Sequence, residues 1–194
     1  MMVLIDAGHG GLDVNGKYTT DPKKNKMYKH PDFTIYEGVT NRRIATRLMS
    51  KLHRAGIAFI QIHDDVIDIG LTTRCNKANA YGKNCLYLSI HSNAGKGKGF
   101  EIFTSPGQTK SDWYAEKFYE GFKRDFPEYP FRADMSDGDH DKEERFTVLV
   151  KTIMPAVLVE LLFFDEINQA KFLMSDAGQE RLAESLFQTI KSFV

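Results

Sequence analysis

Met2-Val3-Leu4-Ile5-Asp6-Ala7-Gly8-His9-Gly10-Gly11 begins as a short apolar run and stops abruptly in glycines around one histidine. Val3, Leu4 and Ile5 read as a buried strand, because a brief apolar run bounded by turn residues suits the centre of a sheet. Gly8, Gly10 and Gly11 let the backbone turn sharply and keep bulk away from whatever approaches His9. A histidine at the carboxyl end of such a strand stands where open α/β sheets place their sites. A strand running into a loop with a solvated histidine fits the same residues, so the rest of the chain decides.

The next regular pattern is helical. Across residues 37–55, Ile44, Ala45, Leu48, Met49 and Leu52 recur at three- and four-residue spacing and make one apolar face. Gly56 ends that helix, and Ala58-Phe59-Ile60-Gln61-Ile62 follows as a second strand. Strand, helix and strand in this order form a βαβ unit, which favours a right-handed crossover and a parallel sheet. Residues 12–36, between the first strand and this helix, read as a long polar loop with Gly16, Pro22 and Pro31. Its lysines (Lys17, Lys23, Lys24, Lys26, Lys29) are suited to steer an anionic polymer, and loops this long inside compact domains are commonly functional.

The alternation continues. Residues 71–83 read as a helix that Thr72 or Thr73 can cap, and Leu86-Tyr87-Leu88-Ser89-Ile90 as a third strand with His91 at its carboxyl end. Gly95-Lys96-Gly97-Lys98-Gly99 lacks the spacing of a phosphate-binding loop. Residues 100–104 read as a strand, 111–125 as a helix, and 127–141 as a loop whose aspartates fail the calcium-loop template. Residues 146–150 and 156–159 read as strands, the second ending in Glu160, and 168–174 and 179–193 as closing helices. The expected fold is α/β: one domain, 1–194, with a mostly parallel or mixed sheet of about six strands flanked by helices on both faces. No repeat or linker marks off a separate wall-binding or other domain.

The totals exclude several classes. The 194 residues suffice for a real core, and 26 basic residues balance 26 acidic ones, so no global field points to nucleic acid. No apolar run approaches the roughly 20 residues of a membrane span, and no basic segment followed by a long apolar one marks an export signal. Cys75 and Cys85 form neither a metal-type pair nor a disulfide framework, and both read as reduced core residues.

His9, His91 and Glu160 each follow an apolar strand, so their side chains can converge along one edge of the sheet. Glu37 opens the first helix, where a carboxylate gains from the helix dipole. Two histidines and a carboxylate make an open zinc set, and a further glutamate can serve as general base on a water there. Scattered positions alone leave open which glutamate does which.

The stretches Asp6-Ala7-Gly8-His9-Gly10-Gly11, the lone Glu37, Ser89-Ile90-His91-Ser92-Asn93-Ala94 and Pro155-Ala156-Val157-Leu158-Val159-Glu160 resemble, in order, the motifs of the zinc-dependent N-acetylmuramoyl-L-alanine amidases. The resemblance extends through Arg74 with Ala78-Asn79 and covers nearly the whole chain. It implies Zn2+ held by His9, Glu37 and His91, and Glu160 as the catalytic glutamate. It also implies peptidoglycan as substrate, cut between the lactyl group of N-acetylmuramic acid and the L-alanine of the stem peptide. Gly10, Gly11, Asn93 and Arg74 are expected to orient substrate or support the ligands, the glycines by clearing room for a bulky glycopeptide. A phage or prophage endolysin is the expected setting: a monomer made in the cytoplasm that acts on the cell wall after release or export. A zinc peptidase cutting another amide, or a non-catalytic wall-binding domain, is the alternative. The chain departs from the family at Leu162 and Glu166, where glycine and asparagine are usual, and at Ala7, where proline is common.

Overall fold

The computed structural model describes residues 1–63 and 66–194. In chain order its elements are β1 (Met2–Ala7), β2 (Met27–His30), β3 (Phe33–Tyr36), α1 (Glu37–Arg54), β4 (Phe59–Gln61), α2 (Leu71–Asn79), β5 (Cys85–Asn93), β6 (Glu101–Thr104), α3 (Lys110–Asp125), β7 (Lys142–Glu143), α4 (Thr147–Val150), β8 (Ala156–Phe163), α5 (Ile167–Met174) and α6 (Asp176–Lys191). The main sheet has the order β4-β1-β5-β8-β6-β7. Its centre is parallel from β4 through β8, and β6 is antiparallel to β8. The expected α/β fold, six-stranded and mixed, is what the chain adopts.

Helices cover both faces unequally. One face carries α1, α3, α5 and α6 over a large core that includes Ile44, Leu48, Phe118, Phe122, Leu182 and Leu186. The other carries the short α2 and α4 over a smaller core built on Leu4, Cys75, Tyr87, Val148 and Leu158. Both cysteines are free and buried, as expected. Two helices of nine and four residues cannot roof six strands, and the uncovered part of that face, at the carboxyl ends of the parallel strands, holds the site.

Four local expectations are corrected. Residues 12–36 are not all loop: they contain a 3-10 turn, Pro22–Lys24, and the hairpin β2–β3. Residues 146–150, expected as a strand, form α4 instead, because Val148 and Leu149 turn into the smaller core as one helical face. Neither Thr72 nor Thr73 caps α2, which starts after Gly70 with no side-chain cap and ends at Asn79 rather than near residue 83. His91 and Glu160 lie within β5 and β8 rather than past their ends, since the ladder between those strands continues through that pair.

Candidate metal centre and cleft

Successive strand residues face opposite sides of a sheet, and here that alternation assembles the site. In β1, Val3, Ile5 and Ala7 enter the large core while Leu4 enters the small one, so Asp6 follows Leu4. In β5, Leu86, Leu88 and Ile90 enter the large core and Tyr87 the small one, which sends Ser89 and His91 to the small-core side. In β8, Val157, Val159 and Leu161 alternate with Leu158, and Glu160 follows Leu158. Register then pairs Asp6 with Ser89 and His91 with Glu160.

His9 lies just beyond β1 with φ of 64°, a left-handed conformation for a non-glycine residue. Its carbonyl accepts from Arg42 Nη1 at 2.6 Å and Arg74 Nη2 at 3.4 Å, which fixes the turn from behind. Glu37, the first residue of α1, is fully buried. Its Oε1 is 3.0 Å from His91 Nδ1 and 3.3 Å from His9 Nε2, and its Oε2 is 3.2 Å from Lys26 Nζ. Asn41 Nδ2 and the Ser92 backbone N–H also donate to Oε1, at 3.5 and 3.4 Å. One ligand atom each from His9, Glu37 and His91 lies within 4.8 Å of the others.

The charges around the site pull in opposite directions. Burial alone would raise the Glu37 carboxyl, but His9 and His91 beside it hold it well below the usual carboxylate range, His91 also through a hydrogen bond. Burial lowers His9. Burial would also lower His91, yet the bond to Glu37 and the neighbouring carboxylates raise it. Glu160 is pushed up to about 8, first by burial and then by the charges of Glu37 and Glu101, against the pull of His91.

His9 Nε2, Glu37 Oε2 and Glu160 Oε2 are buried with no hydrogen-bond partner. The 3.3 Å approach of His9 Nε2 to Glu37 is a proximity rather than a directed bond. Orphaned buried polar atoms are uncommon in folded proteins, and here they belong to two prospective ligands and the adjacent glutamate. A cation would supply such missing partners. The Lys26 ammonium beside Glu37 already places a positive charge on that carboxylate. Two imidazoles and a carboxylate, with room for further ligands, fit zinc.

Behind the site stands a group that the sequence did not expose. Asp6 is buried and accepts from Arg74 Nη1 at 2.6 Å, Tyr87 Oη at 2.7 Å and Ser89 Oγ at 3.2 Å, with His63 Nε2 at 3.5 Å. Burial would raise its pKa, but His63, Arg74 and Tyr87 bring it far below the usual range. Arg74 also donates to the carbonyls of Ala7 and Ile69, so it binds the strand end beneath His9. The one available signal was a charged residue, Asp6, inside an otherwise apolar strand.

The remaining candidates divide. Asn93 turns its amide to Glu101, which is also held by Arg132 and Lys142. The glycines make room for protein rather than for a glycopeptide. A Cβ on Gly8 would lie 2.2 Å from the His91 ring, one on Gly10 would strike Thr19 Oγ1 at 2.0 Å, and one on Gly11 would meet Val66 at 3.2 Å. Leu162, where the family usually has glycine, takes φ of 67° while fully buried, the left-handed backbone that glycine adopts without strain. His63 is buried against the Asp6 group, and His140 stacks on Tyr119 and meets Glu116.

His9, His91 and Glu160 open onto a cleft of about 460 Å³. One wall brings Lys24 and Lys26 from the strap ahead of β2, and the other brings Arg145 and Phe146. Among the described residues, no helix is long and apolar enough to cross a membrane.

Comparison with known proteins speaks to the family and the fold. Residues 3–192 match the family described as N-acetylmuramoyl-L-alanine amidase. The N-acetylmuramoyl-L-alanine amidase CwlM of Bacillus licheniformis is 30% identical over 93% of this chain and 64% of its own length. The endolysin of Bacillus phage SPP1 is 27% identical over 94% of this chain and 62% of its own. The chain thus spans a little under two thirds of these curated relatives. Among solved structures, an N-acetylmuramoyl-L-alanine amidase from Clostridium difficile 630 superposes with a TM-score of 0.79 at 26% identity, covering 99% of this chain and 95% of that one.

Proposed function

The chain belongs to the N-acetylmuramoyl-L-alanine amidase family, and on that premise we propose that it hydrolyses the amide between N-acetylmuramic acid and the L-alanine of the stem peptide. The observation that carries this reading is the convergence of His9, Glu37 and His91 within 4.8 Å, with Glu160 paired beside His91. In it, His9, Glu37 and His91 hold zinc and Glu160 is the general base. Residues 1–194 are then one catalytic domain, acting on the wall as a monomer.

When bound, zinc supplies Lewis-acid polarisation of the lactyl carbonyl and draws the pKa of a water towards neutrality. Glu160 takes the proton of the attacking water and delivers it to the departing alanine nitrogen. An amine anion is a very poor leaving group, so cleavage needs that delivery. Burial disfavours the ionised form of Glu160; a cation bound beside it would offset that, so that the carboxylate can take a proton and then release it. Glu37 offers the two histidines a negative partner, and Arg42 and Arg74 keep His9 in its turn.

Digestion of purified sacculi tests the reading. New L-alanine amino termini without new reducing sugars are expected, and Glu160→Ala is expected to abolish them while about one zinc per chain is retained. Reducing ends without new amines would refute it, and full zinc retention in His9→Ala would refute the ligand set. For the biological setting we keep the endolysin reading, which the phage relative supports. Lysis from within, seen only after the inner membrane is permeabilised, is its expected signature.

A further inference from the structure

We propose that the cleft beside Glu160 selects stem peptides whose carboxylates are free over peptides in which they are amidated, and that Arg145 is the residue that reads the charge. This rests on the amidase reading above and adds a substrate preference to it.

The direction of the cleft places the peptide. Glu160 has to stand beside the scissile nitrogen, so the peptide leaves on the Glu160 side. Leu158, two residues earlier on the same face of β8, continues the cleft floor away from the ligand histidines. That floor leads to Phe146, 39% exposed, and to Val148. Leu71, 52% exposed at the start of α2, lines the cleft as well. These apolar walls suit an alanine methyl and the backbone that follows it.

Charge enters at the mouth. Arg145 is exposed and lines the cleft. Among the described residues it has no acidic partner, whereas the other cations there are engaged. Lys24 binds Asp68 at 2.8 Å, Lys26 lies on Glu37, and Arg74 is buried on Asp6 and Asp68. The carboxylates of the cleft are held by those partners or sit at its base, which leaves one uncommitted guanidinium on the leaving-group side. A guanidinium presents a planar fork that matches a carboxylate with two parallel N–H donors, and a carboxamide cannot take both. Lys24 on the facing strap stays paired with Asp68, so Arg145 reads the charge alone.

The test uses two matched muropeptides that differ only in the second stem residue, D-glutamate or D-isoglutamine, with the zinc-loaded chain. Release of the L-alanine amine is followed as kcat/KM. The acid form is expected to be preferred on the order of ten-fold, the size of a charge-assisted hydrogen bond partly open to solvent, with the difference in KM. Arg145→Gln should collapse the ratio towards one, Arg145→Lys should restore part of it, and added salt should shrink it. Equal cleavage of both substrates by the unaltered chain, or an unchanged ratio in Arg145→Gln, overturns the preference and leaves the amidase reading standing. Cleavage of neither substrate overturns both.

Discussion

Replacing Arg74 by methionine should cost this chain more than any change on its surface, and the structure gives the size. The Arg74 side chain is 2% exposed and donates to Asp6 Oδ1 at 2.6 Å, Asp68 Oδ1 at 3.1 Å and the carbonyls of Ala7, Ile69 and His9 at 3.1, 3.2 and 3.4 Å. Methionine keeps much of the stem volume, so the loss is chiefly electrostatic. Asp6 would keep Tyr87 and Ser89 as donors but lose its full positive partner. Breaking a buried ion pair from one side costs about 3–5 kcal/mol, because the remaining charge is left uncompensated. With a urea slope of about 2–3 kcal/mol/M, the unfolding midpoint should fall by roughly 1–2 M. The pH dependence follows from the depressed pKa of Asp6. Its contribution is complete above its unfolded value of about 3.9 and is lost as pH falls towards the folded value. The gap between Arg74→Met and the parent chain should therefore be full near neutral pH and narrow as pH drops below about 4. Asp6→Asn combined with Arg74→Met should recover part of the loss, since no buried charge then remains. A cost within about 0.5 kcal/mol at neutral pH, or a double variant as damaged as the sum of its parts, would refute the reasoning.

Two further outcomes can be checked alongside. Gly8→Ala would put a methyl 2.2 Å from the His91 ring; zinc affinity by competitive chelation should fall about 10- to 100-fold, the range seen when a ligand is pushed off its orientation, and unchanged affinity would show that the strand end yields freely. Asp141 is pushed up to about 7 by burial and by the nearby Asp139 and Asp112 carboxylates, against a 2.6 Å bond from Thr104. Its folded pKa lies above its unfolded one, so the ionised group destabilises increasingly between about pH 4 and pH 7. Asp141→Asn, which can still accept from Thr104, should therefore stabilise by about 1–2 kcal/mol at pH 8 after allowance for solvent screening and make no difference near pH 4. Equal melting temperatures at pH 8 would contradict this.

Much of the architecture follows from local pattern alone. The apolar spacing from Ile44 to Leu52 can only be satisfied by a helix laid on a core, and the run Val157-Leu158-Val159 only by a strand buried on both faces. Alternation then places His91 and Glu160 on the same side as Asp6, because a period of two leaves no other choice once the apolar neighbours are inside. Ordered motifs around His9, Glu37, His91 and Glu160 pointed to one site before any coordinates. What a chain of letters does not carry is distance between remote residues. Apart from Leu149, residues 146–150 are β-branched or aromatic, which favours a strand, yet the small core accepts them only as a helical turn. The hairpin within residues 12–36 is a short ladder of four residues a side, held to the large core through Tyr28, Phe33 and Ile35 where Lys26 reaches Glu37. Asp6, Arg74, Tyr87 and Ser89 come from three separate elements, and only the packing of β1, α2 and β5 brings them within hydrogen-bond reach. Even the glycines around His9 change meaning in three dimensions: their missing side chains are filled by His91, Thr19 and Val66, neighbours that the fold supplies and the sequence does not name.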